Sequence, residues 1–117
     1  MPVSGKLTTH VLDTAHGMPA SGLAVMLCDP SGTEIVRATT NSDGRLDAPL
    51  LAGEAFKEGR YVLEFEAGDY FRRMGVTLPE PAFLDTVVIA FGIADAGAHY
   101  HVPLLLSPYG YSTYRGS

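Results

Sequence analysis

The feature that most constrains the fold is the short, fairly even spacing of turn-forming sequences along the 117-residue chain. Gly and Pro combine with Asp, Asn or Ser in these turns, where they favour tight changes of chain direction. The clearest examples are His16-Gly17-Met18-Pro19, Asp29-Pro30-Ser31-Gly32, Asn41-Ser42-Asp43-Gly44 and Leu78-Pro79-Glu80-Pro81. The runs between the turns are short and rich in Val, Ile, Thr, Tyr and Phe. This pattern predicts an all-β sandwich or barrel.

Side-chain alternation within the runs predicts which strands are buried on one face and which on both. Apolar and charged residues alternate along Tyr61–Glu66, which is typical of a strand with one solvated face. Leu23–Cys28 and Thr86–Ile93 are apolar on both faces, so each is predicted to be a central strand or a strand covered by a partner subunit. Only Ala52–Lys57 and Asp69–Met74 favour a turn or two of helix, the latter capped at Gly68 or Asp69 and stopped at Gly75.

Composition and charge exclude several classes of protein. Hydrophobic residues make up 46% of the chain and charged residues 18%, as in an ordinary globular protein, and no linker or repeat divides residues 1–117, so we expect one domain. The net charge of −5 argues against a nucleic-acid partner. The single cysteine, Cys28, cannot form an intramolecular disulfide and is predicted to be a small buried apolar residue. With no signal peptide or membrane-length apolar run, the expected location is the cytoplasm.

The histidines are the first candidates for chemistry, because their ordinary pKa lies near neutrality. His10 lies in the predicted strand Lys6–Leu12, where a hydrogen-bonded structural role is the commoner interpretation. His99 and His101 are two residues apart on the predicted strand His99–Leu106 and therefore share a face, opposite the apolar face of Tyr100, Val102 and Leu104. His16 lies in a turn and is expected to be solvated.

A metal site is the rival interpretation of this cluster, because a His-x-His pair on a strand can ligate zinc or copper. His10 would then supply a third ligand. The sequence offers no further Cys/His cluster, so no required metal is expected.

Two further features are candidates for a site. Arg45 follows the tight turn ending at Gly44, where an exposed hairpin arginine is the usual outcome. The C-terminal segment Ser107–Ser117 carries three tyrosines and an arginine, and this composition predicts a tail that packs against something.

These residues carry a resemblance to the transthyretin family over essentially the whole chain. The segment from His10 to Val25 is similar to the family's N-terminal signature, and the segment from Tyr100 to Ser112 is similar to its C-terminal signature. Within that family, an ending such as Tyr114-Arg115-Gly116-Ser117 marks the enzymatic branch, the 5-hydroxyisourate hydrolases.

The resemblance implies a transthyretin-like β-sandwich of two four-stranded sheets with one short helix. It also implies a homotetramer, a dimer of dimers, with active sites in a channel between the dimers. The implied activity is hydrolysis of 5-hydroxyisourate, a small-molecule substrate, in urate breakdown, with no cofactor, metal, nucleic acid or membrane involved. A non-catalytic small-molecule carrier of the same fold is the alternative, and a metallohydrolase is a third possibility.

The family's site residues carry over onto matching positions of this sequence. The resemblance implies catalytic roles for His10, Arg45, His101 and Ser117. It implies substrate binding by residues of the same site and of the tail, namely His10, Arg45, Tyr114, Arg115 and Gly116, with His99 as a supporting neighbour.

Overall fold

The computed structural model describes residues 5–116, which form two β-sheets enclosing one hydrophobic core. The strands are β1 (Lys6–Asp13), β2 (Met18–Pro19), β3 (Ala24–Cys28), β4 (Glu34–Thr39), β5 (Leu51–Ala52), β6 (Gly59–Glu66), β7 (Thr86–Ile93), β8 (His99–Ser107) and β9 (Gly110–Thr113). The first sheet has the order β2-β1-β8-β9, and the short β5 also pairs with β1. The second sheet has the order β4-β3-β6-β7. The predicted all-β sandwich of two sheets is therefore confirmed, with a two-residue fifth strand added to the first sheet.

Within residues 5–116, helical structure is limited to the two predicted regions. A 3-10 turn spans Gly53–Ala55, and one short helix, α1, spans Ala67–Arg73. Helix α1 begins slightly earlier than predicted, with Glu66 at the N-cap, and Gly75 follows it with a φ of +87°, a conformation that favours glycine. None of the helical segments in residues 5–116 is long and apolar enough to cross a lipid bilayer.

The parallel pairing of β1 with β8 determines which residues share the exposed face of the first sheet. Its register places Thr8 opposite His101 and Lys6 opposite His99. Tyr100 and Val102 point into the core and are 6% and 7% exposed, as predicted for the apolar face of this strand. The two histidines consequently lie on the opposite face of the sheet.

The second sheet separates the two strands that the sequence could not distinguish. Ala24–Cys28 is a central strand between β4 and β6, and Cys28 is fully buried, both as predicted. Thr86–Ile93 is an edge strand whose Val87 is buried but whose Val88 is 52% exposed. A central position in the sheet therefore does not explain the apolar residues on the outer face of this strand. Coverage of that face by a partner subunit stays a prediction.

A polar cluster links the turn that carries His16 to the core. The fully buried Asp13 accepts a hydrogen bond from the Tyr70 hydroxyl at 2.8 Å and lies 2.6 Å from Nδ1 of His16. His16 is an exposed turn residue, as predicted, and its ring also stacks on Phe71. Burial alone would raise the pKa of Asp13, but the hydrogen bonds from Tyr70 and His16 outweigh it and lower that pKa.

Candidate active site

Two histidines and a threonine form a hydrogen-bonded group on the exposed face of the first sheet. The Thr8 hydroxyl lies 2.8 Å from Nε2 of His99 and 2.8 Å from Nδ1 of His101. The two imidazole rings have centroids 6.2 Å apart. Because Thr8 occupies Nδ1 of His101, the second ring nitrogen, Nε2, is left for chemistry.

A tight turn brings Arg45 beside His10. The Asn41 side-chain oxygen accepts a hydrogen bond from the Arg45 amide at 3.2 Å, and the Gly44 carbonyl accepts one from the Val11 amide at 2.8 Å. Gly44 has a φ of +74°, and a Cβ there would lie 2.4 Å from the Val11 carbonyl oxygen, so only glycine fits. His10 and Arg45 are then joined by an isolated β-bridge. The exposed hairpin arginine expected from sequence is thus docked against β1.

These groups border a cleft of about 430 Å³. It is lined by polar and charged residues together with a short stretch of the chain after Arg45: Lys6, Thr8, Thr9, Arg45, Leu46, Asp47, Ala48, Pro49, His99 and His101. His10 lies next to this cleft, bridged to Arg45. A cleft with a guanidinium and imidazoles suits a small, polar, oxygen-rich molecule.

The electrostatics of the cleft favour the neutral forms of His10 and His101. Burial and the nearby Arg45 charge lower the pKa of His10, against a smaller opposing effect of Asp43. Burial, Arg45 and the other two histidines lower the pKa of His101 as well. A neutral imidazole can accept a proton, so both residues are available as general bases near neutral pH.

The C-terminal segment contacts the histidine strand through its backbone and through Arg115. Gly116 donates a backbone hydrogen bond to the His101 carbonyl at 2.8 Å, and a Cβ at Gly116 would lie 2.7 Å from Cδ2 of the His101 ring. The Arg115 guanidinium lies 4.0 Å above the Tyr100 ring and donates to the His99 carbonyl at 3.3 Å. Arg115 therefore anchors the tail in this structure.

The predicted packing of the tail is found for its backbone and not for its tyrosines. Strand β9 pairs with β8, yet Tyr109, Tyr111 and Tyr114 are 62%, 45% and 61% exposed. Ser117, to which the sequence resemblance assigns a catalytic role, lies outside the described residues.

Thr8 is the residue at this site that sequence reasoning missed. A signal existed, because Thr8 lies two residues before His10 and residues two apart on a strand share a face. The predicted metal site required His10 to be a third ligand beside His99 and His101. Among residues 5–116, no group of three or more His, Cys, Asp or Glu side chains is close enough to hold a metal ion.

Comparison with known proteins yields relatives along the full length of the chain. A protein of Rhizobium meliloti named 5-hydroxyisourate hydrolase 2 is 62% identical and is covered completely, as is this chain. The 5-hydroxyisourate hydrolase of Pseudomonas aeruginosa is 60% identical, with 97% of this chain and 92% of that protein covered.

Solved structures agree in fold. The 5-hydroxyisourate hydrolase of Klebsiella pneumoniae matches with a TM-score of 0.82 at 37% identity, covering 97% of this chain and 99% of that one. Transthyretin from Sparus aurata also has a TM-score of 0.82, at 28% identity, with 95% and 96% covered. An (S)-allantoin synthase matches at 0.93 and 42% identity over 99% of this chain, which spans 45% of the synthase.

The family model described as the HIUase/Transthyretin family matches residues 7–116. This match includes both histidine-bearing strands, the Arg45 turn and most of the C-terminal segment. Together with full-length relatives at 62% and 60% identity, it shows that the chain belongs to the HIUase/transthyretin family.

Proposed function

We propose that this protein is a 5-hydroxyisourate hydrolase that converts its substrate to 2-oxo-4-hydroxy-4-carboxy-5-ureidoimidazoline during urate breakdown. The observation that carries the proposal is the cleft in which Arg45 and His101 meet beside His10. Full-length relatives named 5-hydroxyisourate hydrolase, at 62% and 60% identity, support the same conclusion.

The proposed reaction is attack of water on the C6 carbonyl with opening of the N1–C6 bond. Such a step needs a base to take a proton from water, a donor for the leaving nitrogen, and positive charge for the developing oxyanion. His10 and His101 are proposed to share the two proton transfers, supported by their lowered pKa values. Arg45 is proposed to bind the oxygen-rich edge of the substrate, because its planar guanidinium stays protonated and can donate two parallel hydrogen bonds.

The C-terminal residues are proposed to complete the site. Tyr114, Gly116 and Ser117 would position substrate or water, and Arg115 would hold the segment through its contact with Tyr100. No step of this reaction needs a cofactor.

We further propose a cytoplasmic homotetramer, a dimer of dimers with the sites in a channel between dimers. Support comes from two of the outer strands, β7 and β9, each of which has one hydrogen-bonded neighbour strand within residues 5–116. Exposed strand edges are templates for pairing with another chain. Val88 on β7 and Tyr111 on β9 are large apolar side chains left 52% and 45% exposed, which suits a subunit interface.

The test is the ultraviolet decay of freshly generated 5-hydroxyisourate with and without the purified protein. We expect the protein to accelerate the decay, and the Arg45→Met variant to lose most of that acceleration. Unchanged acceleration after treatment with a chelator excludes a metallohydrolase.

The alternative, a transthyretin-type carrier, predicts a different result in the same assay. A carrier would bind an apolar ligand and leave the decay of 5-hydroxyisourate at its spontaneous rate. Decay that is no faster with protein than without it would overturn the proposed function.

A further inference from the structure

The Thr8 hydroxyl occupies a position in the site that no catalytic assignment above explains. It lies within hydrogen-bond distance of two imidazole nitrogens at once, Nε2 of His99 and Nδ1 of His101, each at 2.8 Å. A hydroxyl has one proton and two lone pairs, so it can donate to at most one of these rings and must accept from at least one of them. The protonation of the two histidine rings is therefore linked through a single oxygen.

The neighbouring threonine shows that this arrangement is particular to Thr8. Thr9 points to the opposite face of β1, where it is buried and donates to the Val102 carbonyl at 2.7 Å. Thr8 faces the cleft, and its branched Cβ restricts the side-chain rotamer in a strand, so its hydroxyl is held at a fixed point. The parallel register that pairs Thr8 with His101 sets the distance to the ring.

Three arrangements of the protons satisfy the geometry. In the first, Nδ1–H of His101 donates to Thr8, and Thr8 donates to Nε2 of His99. In the second, both directions are reversed, so that Thr8 donates to Nδ1 of His101. In the third, both rings donate to Thr8, and the hydroxyl proton points away from them. The first and the third leave a lone pair on Nε2 of His101 and keep both hydrogen bonds when that nitrogen takes up a proton. Of these two, only the first gives the hydroxyl proton an acceptor among the side-chain contacts of Thr8. In the second, a proton added to His101 would have to go to Nδ1 and would collide with the hydroxyl proton of Thr8.

We propose that Thr8 is a positioning residue that holds His101 in the Nδ1–H tautomer and so leaves Nε2 free to accept a proton, with His99 as the acceptor that orients the Thr8 hydroxyl. This inference rests on the proposed hydrolysis for its kinetic consequence. Its structural part is the tautomer of the His101 ring, which can be measured without substrate.

The first experiment measures the ring nitrogens of His101 by NMR in ¹⁵N-histidine-labelled protein, at a pH where the ring is neutral. We expect a protonated Nδ1 and an unprotonated Nε2 in the wild type. Thr8→Val keeps the shape of the side chain and removes the hydroxyl, so it should shift His101 towards the Nε2–H tautomer. Thr8→Ser restores a hydroxyl and should restore most of the wild-type signal. A wild-type His101 that is protonated on Nε2, or is unchanged by Thr8→Val, overturns the proposal.

The second experiment compares turnover of 5-hydroxyisourate. Thr8→Val should lower kcat about tenfold or more with a smaller change in KM, because Thr8 is proposed to act through His101, which transfers a proton in the chemical step. Thr8→Ser should recover most of kcat, and His99→Ala should have little further effect in the Thr8→Val background. Thr14→Val is the matched control, since Thr14 also bridges to β8, through the Leu106 carbonyl at 3.1 Å, outside the cleft.

The outcomes separate this inference from the proposed function. A wild-type protein without activity would refute the hydrolase and leave the NMR result standing as the test of Thr8. An active wild type whose kcat survives Thr8→Val would refute the role of Thr8 and leave the hydrolase intact. If Thr8→Val fails to fold, the wild-type spectrum alone still tests the proposal, because a His101 ring protonated on Nε2 would overturn it.

Discussion

At the scale of single residues, the site depends on keeping imidazoles neutral beside a permanent cation. His10 and His101 both lie near Arg45, and burial together with that charge lowers the pKa of each ring. In the proposed mechanism, the guanidinium that binds an electron-rich substrate is also the charge that lowers the pKa of the two proposed bases. Arg45 would then couple substrate binding to proton transfer.

Replacement of either histidine should reduce turnover without unfolding the protein. His10→Asn and His101→Asn should each lower kcat about 100-fold or more, because a positioned general base contributes roughly 10²- to 10⁴-fold. Steady-state decay of 5-hydroxyisourate measures the rate, and thermal melting checks the fold. The control His16→Asn should do the reverse, keeping kcat and lowering Tm, because His16 contacts buried Asp13. A near-normal rate in either of the first two variants would remove that residue from the mechanism.

The pKa values of His10 and His101 should respond to Arg45. Because a positive charge disfavours a second one nearby, Arg45→Met should raise both pKa values from below the ordinary 6.5 towards it. In the wild type, kcat/KM should therefore fall with decreasing pH only below about 6.5. Titration of the histidine ring protons by NMR measures the shift. Arg60→Met, in the other sheet, is the control, and pKa values that do not move in Arg45→Met would contradict this electrostatic account.

At the scale of elements, the C-terminal segment is held against the histidine strand by a contact that only glycine allows. Gly116 bonds to the His101 backbone and leaves no room for a Cβ beside the ring. Strand β1 contributes from the other side, with Thr8 at Nδ1 of the same imidazole. The His101 ring is therefore confined between two elements.

Gly116→Ala should displace the His101 ring and impair catalysis. The added methyl would lie 2.7 Å from Cδ2, closer than real carbon contacts, so the ring or the tail must shift. We expect kcat to fall about tenfold or more, since small misplacements of a catalytic group are costly. Gly110→Ala on β9 is the matched control, because its Cβ would meet its nearest neighbour at an ordinary 3.8 Å. Equal kcat values for the two variants would show that the tail does not restrain His101.

The contact between α1 and β1 gives a second prediction at this scale, on stability. Tyr70→Phe removes the hydroxyl that donates to buried Asp13 at 2.8 Å. Loss of one partner of a buried charged group should lower the free energy of unfolding by about 1–3 kcal/mol. Urea denaturation measures it, with Tyr109→Phe as the control because Tyr109 is 62% exposed. A stability loss no greater than that of the control would mean that Asp13 is satisfied without Tyr70.

At the scale of the whole molecule, the sandwich has one side with exposed apolar surface, where we propose that a second copy binds. Outer strands β7 and β9 border an apolar cavity of about 220 Å³ whose lining includes Ile89, Tyr100 and Val102. In the loop before β7, Phe83 is 70% exposed, and its ring centroid lies 6.0 Å from that of the exposed Tyr109 in the β8–β9 turn. Aromatic side chains left in water favour association into a closed oligomer.

Light scattering should give a mass near four times the 12.5 kDa chain at micromolar concentration. Because the proposed sites lie between dimers, activity per chain should fall when dilution lowers the mass. The two quantities should therefore be measured on the same samples. A fully active monomer would contradict both the tetramer and the placement of the sites.

The sequence alone determined much of this protein, because the rules involved are local. Turn-forming residues marked the ends of the strands. The alternation of side chains along a strand assigned Tyr100 and Val102 to the core and placed His99 and His101 on the other face. The family resemblance selected the same histidines and Arg45 as candidates for the site. The single domain over residues 1–117 and the role of Ser117 stay predictions.

The tertiary structure decided what depends on contacts between distant parts of the chain. Alternation cannot say which strand lies beside which, so the parallel pairing that places Thr8 between two histidines 91 and 93 residues away was not visible in sequence. The same holds for Tyr70, which reaches Asp13 across 57 residues. It also holds for Thr86–Ile93, whose apolar pattern suits a central strand or an edge strand equally well. Side-chain period is a property of one strand, whereas neighbours and edges are set by the packing of all of them.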